Sequence, residues 1–453
     1  MMRRTKRKKK KQPFTITLFF VLIALLALLL KLNMEVTAPK QTVESQPQEE
    51  RKQSDDSESD SGNDAKKEKT ETTIAETEKK ESPTNINRDI DQLIDDMTLE
   101  EKVGQLMMVG FNGYQKSSEI KDLIEQKNIG GVIYFDRNMS SPAQVAELSN
   151  SLQQSANAGK YRLPLMLAVD QEGGSILRMR EQISPIPSQQ KLGERASVSE
   201  VYKVAKLNGE EIASMGININ FAPVLDLSST DSRSFGKDPE KAYAYGTRAI
   251  QGLNAASVTG ALKHFPGNGR SNIDPHVETS SVQANQLDLE NLDIYPFQRI
   301  ISEVDNQKFF VMVTHIKYPA YDKEKPASLS KAIIQDLLRK KLGYKGIVVT
   351  DDLEMGAVNK YYSYKDMGKE AILAGADLLL VCHEYQHQLE VYNGLVEAVK
   401  KGEIPVERIN DAAKRILDYK MNHMAHRTVD PGQAEQTVKK EKSVKYINNL
   451  NLN

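Results

Sequence analysis

The 453-residue sequence predicts an α/β fold: one (β/α)8 barrel of the TIM type, preceded by an N-terminal transmembrane helix and a disordered tether. Three observations carry that expectation. Eight short apolar runs recur between residues 104 and 382. They are near-continuously apolar rather than alternating, as strands covered on both faces must be. The stretches between them are long enough for a crossover helix, and several are helix-patterned, such as Lys331–Leu342 and Met367–Ala374. A doubly wound open sheet is the alternative arrangement.

The N-terminus carries its own signal. Residues 1–34 hold nine Lys or Arg and no acid, and Phe14–Leu30 is apolar apart from Thr15 and Thr17. Seventeen residues lie at the short end of a bilayer span. The flanking cations make burial in a protein core costly. No small-x-small cleavage site follows, so the reading is an uncleaved signal anchor with its basic end cytoplasmic; a cleaved signal is the alternative. Either way the remainder is expected on the extracytoplasmic side of the cell membrane. Residues 35–84 contain no Phe, Tyr, Trp or Leu. Such a segment cannot bury enough apolar surface to offset its ordering entropy and reads as a disordered polar linker. The barrel is expected over 85–425 and a charged tail over 426–453.

The eight candidate strands lie in the runs Gly104–Phe111, Gly130–Phe135, Leu165–Asp170, Ile217–Leu225, Thr259–His264, Phe309–His315, Gly346–Asp351 and Ala376–Cys382. In such a barrel, functional groups sit at the carboxyl ends of the strands. Asp170, Asp226, His264, His315 and Asp351 all fall there. Composition excludes several other classes. The net charge of -1 does not suit a nucleic-acid binder. Cys382 is the sole cysteine, which leaves no disulfide framework or Cys-rich zinc site within one chain. No HExxH or facial His/carboxylate spacing marks a metal, so neither metal nor other cofactor is expected. A G-x-S-x-G elbow is also missing.

Two segments carry the chemistry. Residues 263–269 read KHFPGNG, and Asp274, Pro275 and His276 follow on the same loop. Pro275 biases Asp274 toward extended geometry. In extended chain, residues i and i+2 project to one side, so Asp274 and His276 can meet. A carboxylate orienting an imidazole suits a general acid/base. Residues 350–355 read TDDLEM, directly after the seventh run. Adjacent strand residues face opposite ways. If Val349 and Asp351 face inward, Asp351 is presented at the barrel mouth, where a carboxylate could attack an anomeric carbon. Asp352 is then expected to brace the following turn.

Taken together, these segments resemble glycoside hydrolase family 3, and within it the β-N-acetylglucosaminidase (β-N-acetylhexosaminidase) branch. MTLEEKVGQL at 97–106, DQEGG at 170–174, FAPVLD at 221–226 and RSFG at 233–236 extend the likeness. The resemblance implies a retaining exo-β-N-acetylglucosaminidase acting on β-linked N-acetylglucosamine glycans, peptidoglycan fragments among them. It implies Asp351 as nucleophile and His276, assisted by Asp274, as acid/base. Asp170, Arg233, Lys263 and His264 match sugar-binding positions, with Arg178 and His315 as further contacts. A β-glucosidase or xylosidase, and a catalytically silent wall-binding protein, are the competing readings. Family β-glucosidases commonly take their acid/base from a second domain, whereas only about 30 Lys/Glu/Asn-rich residues follow Asn422. Two positions depart from the pattern: Asn268 stands where the family usually has histidine, and Ser175 where arginine is frequent.

Overall fold

A computed structural model describes residues 90–271, 280–424 and 427–452. The predicted anchor, over 1–34, and linker, over 35–84, lie outside them. Among the described residues no helix is long and apolar enough to cross a membrane.

Eight parallel strands close into a barrel in simple chain order. They are β1 (Met107–Val109), β2 (Gly131–Tyr134), β3 (Met166–Val169), β4 (Ile219–Asn220), β5 (Thr259–Phe265), β6 (Phe309–Val313), β7 (Val348–Asp352) and β8 (Leu378–Val381). Each coincides with one of the predicted apolar runs, β5 and β7 running one residue beyond theirs, to Phe265 and Asp352. The closed barrel, not the open sheet, is therefore the arrangement. Closure comes from β1 pairing with β8, with Met107 opposite Leu379 and Val109 opposite Val381. Almost every strand residue is buried, because helices cover the outside and side chains fill the inside. Gly131 is required by that packing: a Cβ there would lie 2.7 Å from both the Met108 side chain and the Met166 carbonyl oxygen.

The conspicuous TLEEK segment has a local, structural role. Thr98 caps the helix Leu99–Gln105, its hydroxyl accepting from the Glu101 N–H at 3.2 Å. The Glu101 carboxylate accepts in return from the Thr98 N–H at 2.8 Å. This capping box satisfies two donors that a helix start leaves open.

The barrel floor is tied by one acid. Asp377, fully buried before β8, pairs with Arg339, Arg408 at 3.1 Å and Arg415 at 3.0 Å, and accepts from the Val348 N–H. These partners come from the helices Ala332–Lys341 and Val406–His423, so one carboxylate binds two outer helices to the start of β7. Burial alone would raise its pKa; Arg339, Arg415 and Arg408 outweigh burial and hold it down.

The charged C-terminal tail is a correction to the sequence reading. Residues 431–449 contain the helices Pro431–Thr437 and Glu441–Asn449. Ala434, Val438, Ile447 and Leu452 are buried in the same core as the barrel. Asn150 fixes the approach with paired bonds to the Val429 backbone, at 2.8 and 2.9 Å. The apolar residues are sparse and spaced on one face, so a composition dominated by Lys, Glu and Asn conceals them.

Candidate active site

The carboxyl ends of β2, β3, β5, β7 and β8 surround a pocket of about 150 Å³. Asp170, Arg178, Arg233, Lys263, His264 and Asp351 all line it, joined by Glu172 and His383.

The turn after β3 is built by its glycines. Gly173 and Gly174 have φ of +96° and +60°, a region that residues with a Cβ rarely occupy. A Cβ on Gly173 would also lie 2.3 Å from the Pro187 carbonyl oxygen. The chain can thus fold back so that Asp170, Glu172 and Arg178 face one space. Gln171 fixes the return, its Oε1 accepting from the Arg178 N–H at 2.6 Å. Ser175, where arginine is frequent in the family, contributes its carbonyl to Arg180 at 3.0 Å, alongside Gly174 at 2.9 Å. Arg180 clamps this turn from outside.

Glu172 is the hub. Both its oxygens take bonds from Arg233, at 2.8 Å each, and Oε1 also lies 2.7 Å from Lys263 Nζ. Lys263 reaches Asp170 at 2.7 Å as well. Burial would raise the Glu172 carboxyl, but Lys263 and Arg233 overcome it and hold the pKa at about 2. The same carboxylates keep Lys263 above its ordinary value despite burial. On the far side of Arg233, His264 donates from Nδ1 to Asp226 at 2.6 Å. Its Nε2 faces the Arg233 guanidinium at 3.4 Å, so the ring orientation is fixed from both sides. Asp226 also accepts from the His264 and Asn268 N–H groups, at 3.1 and 2.7 Å. Asn268 thus anchors the loop through its backbone, whatever its side chain.

Asp351, the last but one residue of β7, lines the pocket beside this network, together with Asp352. Its Oδ1 accepts from the Asp352 N–H at 2.9 Å; its Oδ2 has no hydrogen-bond partner among the described residues. Burial would raise its pKa, but the His264 and His315 imidazoles outweigh burial, and Lys263 adds to them, so it stays below the usual range. Asp352 braces the turn: Oδ1 accepts from the Glu354 and Cys382 N–H groups at 3.1 and 3.2 Å.

Two expectations fare differently. His315 does not line the pocket. It is fully buried, donating from Nε2 to the Asp352 carbonyl at 2.9 Å, with Ser328 Oγ at 2.7 Å from Nδ1. Burial lowers its pKa, and with both ring nitrogens engaged it is a prop under β7 rather than a sugar contact. Asp274 and His276 lie outside the described residues; the flanking Ser271 and Ser280 hydroxyls are 2.7 Å apart. Glu172 is the group whose role the sequence reading missed. Its signal was available: two residues after Asp170 in extended chain, it shares that residue's side. Among the described residues no cluster of three or more His, Cys, Asp or Glu is arranged to hold a metal.

The hub sets an acid limit on the site. Glu172 has its pKa lowered by folding, so its stabilising pairs are intact above about pH 4.5 and are lost as pH falls toward 2. Glu172→Gln is expected to reduce stability at neutral pH and to flatten that acid loss. Equilibrium denaturation from pH 7 to pH 2.5 checks it. Parallel curves for both proteins would refute the hub.

Residues 98–419 match the glycosyl hydrolase family 3 N terminal domain. The chain is 31% identical over 367 residues to a protein of Pseudoalteromonas piscicida named Beta-hexosaminidase A, covering 72% of this chain and 61% of that relative. It is 33% identical over 297 residues to a Beta-hexosaminidase of Haemophilus influenzae, 64% of this chain and 82% of that one. Among solved structures, a family 3 beta-N-acetylglucosaminidase from Paenibacillus sp. superposes with a TM-score of 0.72 at 35% identity, covering 78% of this chain and 68% of its own. The chain spans about three fifths of the length of the first of these relatives. The motifs, the barrel and these likenesses agree: the chain belongs to glycoside hydrolase family 3.

Proposed function

We propose that the protein is a retaining exo-β-N-acetylglucosaminidase that releases terminal N-acetylglucosamine from β-linked glycans, peptidoglycan fragments among them. The observation that carries this is Asp351 Oδ2: an oxygen of an ionised carboxylate, with no protein partner among the described residues, in a pocket whose other carboxylates are tied up. The relatives named for hexosaminidase activity support the choice of sugar.

The chemistry divides into two displacements. Asp351 attacks the anomeric carbon and the glycosidic C–O bond breaks. His276, oriented by Asp274, gives its proton to the departing oxygen. His276 then takes a proton from water, which attacks the same carbon and releases Asp351. The Asp170, Lys263, Glu172 and Arg233 chain holds hydroxyls of the sugar. Its charges are mutually neutralised before substrate arrives, so little reorganisation accompanies the reaction.

Asp351→Asn is expected to cut turnover of an aryl β-N-acetylglucosaminide at least about a thousandfold without unfolding the protein. A 2-fluoro glycosyl inhibitor should label Asp351. Label on Asp352 or Asp170 would overturn the assignment. Faster hydrolysis of the aryl β-glucoside than of the N-acetyl analogue by the wild type would favour the glucosidase reading.

His276→Ala separates leaving groups. A good anion needs little proton donation, so natural disaccharides should lose about 10²–10⁴-fold while glycosylation by an activated aryl glycoside persists. Azide, attacking directly, should restore the second step. Equal damage to good and poor leaving groups, with no rescue, would make His276 a binding residue only.

The basic, apolar N-terminus supports a single-pass membrane anchor that holds the enzyme on the extracytoplasmic face. The protein should sediment with membranes through high-salt washing. A soluble form beginning between residues 31 and 45 would show cleavage instead.

A further inference from the structure

The wall of the pocket opposite β5 has features that the proposed chemistry leaves unused. In the barrel order, β8 and β2 flank β1, across from β5. His383, just beyond β8, and Phe135, just beyond β2, form this wall. Three contacts place the His383 ring. Its Nε2 lies 3.2 Å from Asp352 Oδ2. Its backbone N–H donates to Glu354 Oε2 at 2.5 Å. Its ring packs on Phe135, with centroids 5.3 Å apart and planes tilted by 39°.

Each of these supports is itself held. Glu354 also accepts from the Glu384 N–H at 3.1 Å and from His387 Nδ1 at 2.6 Å. Asp352 is fixed by the two backbone donors described above. Phe135 carries the Arg137 guanidinium 4.4 Å from its ring centroid and that of Arg178 at 5.2 Å. An exposed histidine does not need such fixing for stability; a histidine that reads a ligand does. The His383 side chain remains 45% exposed, and its Nδ1 has no partner among the described residues.

We propose that His383, oriented by Asp352 and seated on Phe135, is a specificity-determining residue that hydrogen-bonds a hydroxyl group of the sugar bound in the pocket. The inference rests on the glycosidase reading above and extends it to one polar contact. A hydroxyl is the partner that fits the ring in either protonation state. Nε2–H stays on the Asp352 carboxylate, so Nδ1 accepts from a hydroxyl when the ring is neutral and donates to it when charged. An acetamido N–H would fit only the neutral ring and an acetamido carbonyl only the charged one. Asp352 favours the charged ring, with Glu354 adding to that, although burial opposes both. A partner that serves both states keeps the contact across the working pH range.

The test is a set of aryl β-N-acetylglucosaminides lacking the 3-, 4- or 6-hydroxyl, each compared with the parent glycoside. The wild type should disfavour one of them through His383, by about three- to tenfold in kcat/KM from that contact. In His383→Ala the discrimination at that one position should shrink by the same factor and the other two should stay unchanged. The loss should fall mainly on KM. His383→Asn, whose amide occupies the place of Nδ1, should restore much of the discrimination. Unaltered discrimination at all three positions in His383→Ala, or equal loss at all three, would overturn the proposal. A wild type that cleaves none of the parent glycoside would instead overturn the glycosidase reading.

Discussion

The pocket depends on the Glu172 carboxylate and the two cations that meet on it. Arg233 arrives from the loop after β4, Lys263 from β5 and Glu172 from the turn after β3. No two of these are near in sequence. A buried acid without its partners would cost several kcal/mol, as would either cation alone. The two loops and β5 must therefore come together for the site to form. Once they do, Asp170, Arg178 and His264 are carried into place: Asp170 by Lys263, Arg178 by the turn that holds Glu172, His264 by Arg233 and Asp226. Such a net of ion pairs is weak evidence for stability. Its value here is geometric, since polar groups that face a sugar must be set before the sugar arrives.

The legible parts of the chain were those governed by local periodicity. Eight apolar runs gave eight strands, because strands covered on both faces read as near-continuous apolar runs, here short and separated by helix-patterned stretches. Asp170, His264 and Asp351 were legible for a related reason: a polar residue ending an apolar strand has few places to point except the mouth. Lys263 was reached through the family resemblance. Arg233 was reached through its motif, since its loop has no strand to index it. Glu172 was harder. Its i+2 spacing from Asp170 puts it on the same side of the chain, but its role as hub comes from Lys263, 91 positions away, a pairing that the local sequence does not show. His315 shows the converse error. It ends a strand, as the others do, yet Ser328 and the Asp352 carbonyl take both its nitrogens. The C-terminal helices escaped notice because four buried apolar residues are enough to dock them while their outer faces carry the charge.

The ends of β7 and β8 show one short segment serving three purposes. Asp351, Asp352 and Glu354 lie within four residues. Asp352 and Glu354 spend their oxygens on backbone N–H groups across the rim, at Cys382, His383 and Glu384. They stitch β7 to the turn after β8. His315 props the same turn from beneath through the Asp352 carbonyl. Asp351 takes no part in that stitching beyond accepting from its neighbour's N–H. The rigidity it needs is supplied by the residues around it, and its outer oxygen is left for another partner.

That distribution also supports the proposed choice of Asp351 as the reacting carboxylate. Five acids stand at or beneath this pocket: Asp170, Glu172, Asp226, Asp351 and Asp352. A nucleophile must be ionised and must have a lone pair to offer. Glu172 is ionised, but Arg233 and Lys263 hold both oxygens. Asp226 has one oxygen on two backbone donors and the other on His264. Asp352 divides its oxygens between backbone donors and His383. Asp170 faces Lys263 at 2.7 Å and Arg178 at 3.9 Å, an arrangement that holds charge in place rather than releasing it to bond with carbon. Asp351 differs on both counts. The imidazoles and Lys263 keep it ionised from a distance, without hydrogen bonds to its outer oxygen. Charge stabilised at long range preserves nucleophilicity, whereas charge stabilised by direct donors suppresses it. On that ground Asp351 is separated from four other carboxylates by what surrounds it, independently of the motif in which it sits.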